Sequence, residues 1–371
     1  MLEQVDQVHS LKTATLRDWL ELGTLISIVD IRPMAERAEW YIAGSIHLDV
    51  YDKLKQGHPQ IFQGFHLDKT IPVVFYCNSG QSSKKAAQLF ALNGYQTYSL
   101  EGGLKAWSMS WNTAEILLKG LKIIQCRRTG KGCLSYILIS DHEALIVDAS
   151  LDVEVYEQII RREKCTLKYV VETHIHADHL SRSRDLSLKM KASLVLPKSE
   201  DIGFDYTPLS TAQNLVVGST AIQTIYTPGH TYSGVSFLIA SKVLLTGDTL
   251  FINGVGRPDL GTNSGQVLEK TKLLYQSVQH LLTYPDDTIV LPAHTHLPID
   301  FDQVPILSTV GAIKKLAFSQ QDESTFIQTI MSRTPAVPSN YLAILLNNHR
   351  GQPIPPNSLE LESGANRCAI Q

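Results

Sequence analysis

Thr173-His174-Ile175-His176-Ala177-Asp178-His179 is the stretch from which the fold of this 371-residue chain is read. Its histidines and aspartate stand directly after an apolar strand run from Leu167 to Glu172. Imidazoles and a carboxylate gathered this densely do nothing for packing, but together they suit zinc, iron or manganese. Further candidate ligands stand at later strand ends or turns: His230 in Thr227-Pro228-Gly229-His230-Thr231, Asp248 in Leu245-Thr246-Gly247-Asp248-Thr249, and His294 in Leu291-Pro292-Ala293-His294-Thr295-His296. Taken singly, His294 and His296 read equally well as surface histidines.

Around these positions the pattern is of strands and helices that restarts near Ala114. Residues 122–149 read as consecutive strands, including Leu134 to Ile139 and Ala144 to Val147, followed by a helix over 152–163. Val235 to Ala240 and Val243 to Leu245 read as a hairpin, Thr288 to Leu291 as a strand and 312–332 as a helix. Beyond Arg350, prolines and a shortage of apolar residues predict a loosely ordered tail over 351–371.

Upstream, Leu25 to Ile31 and Ile71 to Tyr76 read as buried strands, Lys84 to Asn93 as a helix stopped by Gly94, and Gln96 to Leu100 as a strand. That order implies a parallel sheet with helices on both faces. The expected organisation is an α/β domain over 1–112, a second domain over 113–350, and the tail. Cys77 closes the Ile71 to Tyr76 strand and opens the loop Asn78-Ser79-Gly80-Gln81-Ser82-Ser83. Successive backbone N–H groups there favour an anion, so a thiolate could take up sulfane sulfur and hold it as a persulfide. The competing reading is a buried structural cysteine.

Composition narrows the classes. A net charge of −3 and only short basic clusters, such as Lys84-Lys85 and Arg127-Arg128, give no sign of a nucleic-acid partner. No stretch has the form of a secretory signal or a membrane span, which predicts a cytoplasmic protein with no membrane partner. The five cysteines, Cys77, Cys126, Cys133, Cys165 and Cys368, are odd in number and widely spaced, which is not a disulfide framework. Cys133 reads as a structural thiol or as a neighbour of the metal site. The oligomeric state, a homo-oligomer included, stays open.

The first segment resembles the rhodanese family, whose loop reads roughly Cys-x-x-Gly-x-Arg-Ser. The other landmarks are Val29-Asp30-Ile31-Arg32, Tyr41-Ile42-Ala43-Gly44-Ser45-Ile46-His47-Leu48 and Leu100-Glu101-Gly102-Gly103-Leu104-Lys105-Ala106-Trp107. The resemblance implies that Cys77 carries sulfur and that Asn78, Ser79, Gly80, Gln81, Ser82 and Ser83 cradle it. Ser82 stands where the family usually has arginine. The loop therefore lacks a guanidinium for an anionic donor such as thiosulfate.

From residue 115 onward, the His-x-His-x-Asp-His stretch, the Gly-His, the Gly-Asp and the late histidine resemble the metallo-β-lactamase superfamily. This implies a four-layer αββα sandwich. Within the superfamily, Gly254-Val255-Gly256-Arg257-Pro258-Asp259-Leu260-Gly261 resembles a segment of persulfide dioxygenases, while Gly132-Cys133-Leu134-Ser135-Tyr136 and Pro338-Ser339-Asn340-Tyr341 resemble stretches of the branch fused to rhodanese modules. That resemblance implies one Fe(II) on His174, His230 and Asp248, with a small thiol persulfide and O2 as substrates and sulfite as product. His176, Asp178, His179 and His294 would then orient ligands. Arg257 would bind an anionic substrate group or pair with Asp259. The alternative is a hydrolase of the glyoxalase II type with one or two zinc ions, in which Asp178, His179 and His294 serve the second metal. A third reading is a sulfur carrier whose metal domain only docks or senses.

Overall fold

The computed structural model describes residues 9–58, 60–198, 202–211, 214–262, 264–364 and 366–370. The first eight residues of the expected N-terminal domain lie outside them.

The N-terminal sheet is parallel throughout. Its strand order is His9–Leu11, Thr97–Leu100, Val73–Tyr76, Ser27–Asp30 and Ile46–His47. Val73–Tyr76 is buried on both faces, and side chains along a strand alternate in direction. Val73 and Phe75 pack with Ala86, Ala87 and Phe90 of the helix Gln81–Ala91. Val74 and Tyr76 pack with Leu16, Leu104 and Trp107 on the other side. The helix starts at Gln81, earlier than the apolar spacing from Lys84 predicts, so Gln81, Ser82 and Ser83 are its first turn.

The second unit is a sandwich. One sheet runs Thr207–Pro208, Ser193–Leu196, Thr166–Val171, Glu143–Val147, Leu134–Ser140, Leu121–Arg127 and Asn112–Leu118. The other runs Leu215–Val217, Thr220–Tyr226, Val235–Ile239, Val243–Gly247, Ile289–Pro292 and Ser308–Thr309. Between them Leu134, Tyr136, Leu138 and Val147 meet Val235, Phe237, Leu245 and Leu291 in one buried core. Outside the first sheet lies the helix Val153–Arg162, which buries Tyr156, Ile159 and Ile160 at helical spacing. Outside the second lies Ser264–Leu281, burying Leu274, Val278 and Leu281. The layers are thus α, β, β, α. Among the described residues no helix is long and apolar enough to cross a membrane.

The two units meet through buried polar bonds. Trp40 Nε1 donates to the Thr129 carbonyl at 3.2 Å, and Arg128 Nε donates to the Ser108 carbonyl at 2.7 Å. A Cβ on Gly130 would overlap the Trp107 carbonyl, so glycine is what permits this close approach.

Two expectations need correction. The helix expected over 312–332 is broken into Val310–Ile313, a 3-10 turn at Ala317–Gln320, and Glu323–Arg333. Ser319 Oγ donates to the Ile313 and Leu316 carbonyls, while Asp322 caps the next helix by accepting from Thr325 N at 2.7 Å. Capping by short polar side chains overrides the apolar spacing. The described residues of the tail are not loose either. Ser358–Glu362 is helical, Ala369–Ile370 pairs antiparallel with Val255–Gly256, and Glu362, Cys368 and Ile370 are buried. Charge pairing holds it: Glu362 meets Arg128 at 3.1 Å and Arg182 at 2.9 Å. Apolar count is blind to such an anchor.

Candidate metal centre and thiol loop

The loop 173–179 leaves the strand Thr166–Val171 at the edge of the sandwich where the Gly247–Asp248 and Ala293–His294 turns also emerge. Polar brackets hold it there. Thr173 donates from N and Oγ1 to Asp148 at 2.7 and 2.9 Å, and Asn348 Nδ2 donates to the His176 and His179 carbonyls at 2.8 Å each.

Two clusters result. In the first, His174, His230 and Asp248 bring ligand atoms within 4.8 Å of one another, all three residues being buried. His230 Nε2 lies 3.5 Å and His174 Nε2 3.8 Å from Asp248 Oδ2. Donor atoms sharing one ion at ~2.1 Å are expected to stand about this far apart. His230 Nδ1 faces the Arg257 carbonyl at 2.7 Å and His174 Nδ1 faces Thr173 Oγ1 at 2.9 Å, leaving each Nε2 turned to the centre. His174 Nε2 and Asp248 Oδ2 are buried with no hydrogen-bond partner. A buried donor set left open in this way fits a metal ion. Burial and the neighbouring His176 hold His174 well below the usual imidazole range, and burial lowers His230. Burial raises the Asp248 carboxyl, but His294, His174 and His230 outweigh it and bring it below the usual carboxylate range. Two neutral imidazoles and an ionised carboxylate are in the protonation state that ligands require.

The second cluster is Cys133, Asp178, His179 and His294, again within 4.8 Å and buried. Here the neighbouring carboxylates favour the protonated form of the imidazoles. Burial opposes charge on His179, yet Asp178 raises it to about 10, and Asp248 and Asp178 likewise raise His294 well above its ordinary value. Burial and Asp178 push the Cys133 thiol up, but hydrogen bonding to His179 and His294 outweighs them and brings it down to about 6. His176 joins neither cluster. Its ring lies against that of His174, centroids 4.1 Å apart and planes tilted by 51°, and its Nε2 faces Asp148 at 3.2 Å.

Arg257 was expected to bind a substrate anion or to pair with Asp259, and the structure holds the pair. Its buried guanidinium clasps Asp259 at 2.7 and 2.8 Å and donates to the Ala336, Arg367 and Pro335 carbonyls. No face of it is left for substrate, which corrects the substrate-binding expectation.

Cys133, read from the sequence as a structural thiol or as a neighbour of the metal site, sits beside His294 through a backbone bridge. Sequence reasoning missed two others: Cys368 forms a further ligand group with Asp248 and His294, and Asn366 Nδ2 donates to Asp178 Oδ2 at 2.8 Å.

In the thiol loop, Gly80 N donates to Cys77 Sγ at 3.2 Å, and Ser83 Oγ lies 3.6 Å from the sulfur. Gly102-Gly103 clamps the loop from below, with Leu104 N and Lys105 N donating to the Cys77 and Asn78 carbonyls at 2.8 and 3.0 Å. Asn78 turns its amide to Glu36, Ser79 and Gln81 are exposed, and Ser82 is half-buried. Lys85 is turned to the Leu54 carbonyl at 3.2 Å, and Lys84 is exposed.

Residues 12–110 match the rhodanese-like domain family, and residues 128–294 match the metallo-beta-lactamase superfamily. Hydroxyacylglutathione hydrolase of Brucella anthropi is 32% identical over 179 residues, 46% of this chain and 63% of the relative. The enzyme of the same name from Brucella ovis is 31% identical over 178 residues, 46% of this chain and 64% of the relative. The chain thus spans a little under two thirds of the length of these relatives. A metallo-beta-lactamase from Staphylococcus aureus superposes with a TM-score of 0.57 at 26% identity, covering 63% of this chain and 74% of that one. ETHE1 from Myxococcus xanthus gives 0.52 at 22% identity, covering 64% and 98%, a likeness of fold.

Proposed function

We propose, from a chain in which a rhodanese-like domain precedes a metallo-β-lactamase domain with the division near residue 112, that it oxidises sulfane sulfur. The reaction is O2-dependent conversion of a low-molecular-weight thiol persulfide, such as glutathione persulfide, to sulfite and free thiol. The observation that carries this reading is the buried face of His174, His230 and Asp248, with its unpartnered Nε2 and Oδ2 atoms turned inward. Two histidines and one carboxylate on one face are the donor set of non-haem iron(II) sites, and they leave positions open when the ion is bound. Iron(II) held by His174, His230 and Asp248 would supply the activation of O2 toward a persulfide sulfur.

The chain's own residues set the rest. Asp148 fixes Thr173, which orients His174, while the Arg257 carbonyl orients His230. Asp178 and His294, 2.9 Å apart, form a charged wall beside the triad that an anionic persulfide would meet. Cys77 takes up sulfane sulfur as a persulfide in its loop, where the Gly80 N–H donates to the sulfur.

A second reading is favoured by the Asp178, His179, His294 cluster and by the relatives named hydroxyacylglutathione hydrolase. It is a two-metal thioester hydrolase. Oxygen uptake by anaerobically iron-loaded protein on addition of glutathione persulfide separates the two. Rapid uptake with sulfite formation, lost in His174→Ala, is expected. No uptake with iron bound, together with zinc-dependent cleavage of a glutathione thioester, would install the hydrolase instead.

A further inference from the structure

A buried thiol ordinarily behaves as a small apolar side chain. Cys126 does so, packed among Ile124, Ile137 and Tyr156. Cys368 is buried too, yet its sulfur borders polar groups. Its Sγ, a carboxylate oxygen of Asp248 and a ring nitrogen of His294 all lie within 4.8 Å of one another. Cys368 also lines a cavity of about 200 Å³ together with Asp178. Asp248 Oδ2 is buried with no hydrogen-bond partner.

The backbone on both sides of this sulfur is tied to the metal pocket. Cys368 N donates to Asn366 Oδ1 at 2.8 Å, and Asn366 Nδ2 donates to Asp178 Oδ2 at 2.8 Å. Arg257 N donates to the Cys368 carbonyl at 2.8 Å, and the next two residues pair with Val255–Gly256. Packing a small apolar group needs no such frame. Holding a donor atom at a fixed place does.

We propose that Cys368 is a metal ligand: with Asp248 and His294, its thiolate binds a second, thiophilic ion of the zinc(II) type beside the His174, His230 and Asp248 face. Asp248 has an oxygen for each ion, since Oδ2 faces His174 and His230 while Oδ1 faces His294. Zinc takes thiolate sulfur at ~2.3 Å and nitrogen or oxygen at ~2.0–2.2 Å, so donors grouped this closely reach one ion by small side-chain rotations. On binding, the thiol gives up its proton to the buffer and the sulfur keeps the electron pair that it shares with the metal. The cavity beside Cys368 is the entry path. With Asp178 from the same cavity wall the shell consists of protein alone, which is the pattern of structural zinc rather than catalytic zinc. The ion then staples the C-terminal strand Ala369–Ile370 to the pocket. This assignment holds whichever reaction the triad performs.

The test uses the full, metal-free chain with Cys77→Ser, so that the thiol loop contributes nothing. Cobalt(II) is the probe, because a thiolate on cobalt gives an intense charge-transfer absorption in the near ultraviolet that imidazole and carboxylate do not. The band is expected to grow in during anaerobic titration and to vanish when Cys368→Ser is added. Cobalt bound without the band, or a band that survives Cys368→Ser, overturns the proposal. Should Cys368→Ser fail to fold, X-ray absorption of zinc-loaded Cys77→Ser, Cys133→Ser protein decides instead. Sulfur in the zinc shell at ~2.3 Å is expected, and a shell of nitrogen and oxygen alone overturns the assignment.

Hydrogen exchange reads the staple. Zinc is expected to slow exchange in the Ala369–Ile370 segment by about tenfold or more, and equal exchange with and without bound zinc overturns it. None of these readouts measures turnover, so failure of the dioxygenase reading leaves them unchanged.

Discussion

Asn366 Nδ2 donates to Asp178 Oδ2 at 2.8 Å, so a residue near the end of the chain orients an acid of the metal pocket 188 positions earlier. Outer partners of this kind commonly alter metal affinity by about 10–100-fold. Asn366→Ala is expected to weaken metal retention by that order while leaving the fold intact. Chelator competition followed by metal analysis checks it, with circular dichroism as the control.

Glu362 is the hub of the tail. Burial raises its carboxyl, but Arg128 and Arg182 outweigh burial and hold it at about 2, below its ordinary 4.5. A carboxyl depressed on folding contributes stability that is fully present above about 4.5 and lost as pH falls toward about 2. Glu362→Gln leaves two buried guanidinium groups short of a counter-charge and is expected to cost about 3–5 kcal/mol at neutral pH. Urea unfolding at neutral and acid pH measures both. The variant should lose this share of the acid sensitivity.

Protons distinguish the two metal clusters. His174 and His230 are already neutral, whereas His179 sits at about 10 and His294 well above its ordinary value. A first metal equivalent on the triad is expected to release almost no protons from its imidazoles at neutral pH. A second, on Asp178, His179 and His294, must displace them and so binds more tightly as pH rises. Calorimetry in buffers of different ionisation enthalpy reads the proton count for each equivalent.

Gly256 and Gly103 are expected to be intolerant of a methyl group. A Cβ at Gly256 would overlap the Asp248 carbonyl and stand 3.1 Å from His230 Nδ1. One at Gly103, where φ is +56°, would overlap the Cys77 carbonyl. Gly256→Ala should lose metal while Cys77 still takes up sulfur. Gly103→Ala should do the reverse. Metal analysis and the mass of the charged protein, run on both variants, give the two readouts.

The parts legible in the sequence were those whose meaning is local. The 173–179 loop and the turns at His230, Asp248 and His294 announce themselves because ligands on strand ends need glycine turns and short spacings. The parallel sheet before residue 112 follows from buried runs alternating with helical spacing. The illegible parts are tertiary. The sequence left Cys133 between a structural thiol and a neighbour of the site, and the pairing of two distant backbones puts it beside His294; nothing near Cys368 or Asn366 points to a metal pocket. The tail was misread because it is anchored by Glu362, Arg128 and Arg182, a buried charge cluster that apolar periodicity does not register. Arg257 was ambiguous for a related reason, since the same Gly-Arg-x-Asp spacing serves a substrate clamp or the ion pair with Asp259.

The pairing of Ala369–Ile370 with Val255–Gly256 also orders events during synthesis. Arg257 N donates to the Cys368 carbonyl at 2.8 Å, and the carbonyl of the same arginine orients His230. Residues 9–110 can collapse while the rest is still being translated, since domains fold as units from the N-terminus. The triad cannot take its final form until residue 370 has cleared the ribosome. A nascent chain can therefore fold its N-terminal module before the metal pocket is finished, and completion of that pocket waits for the C-terminal strand.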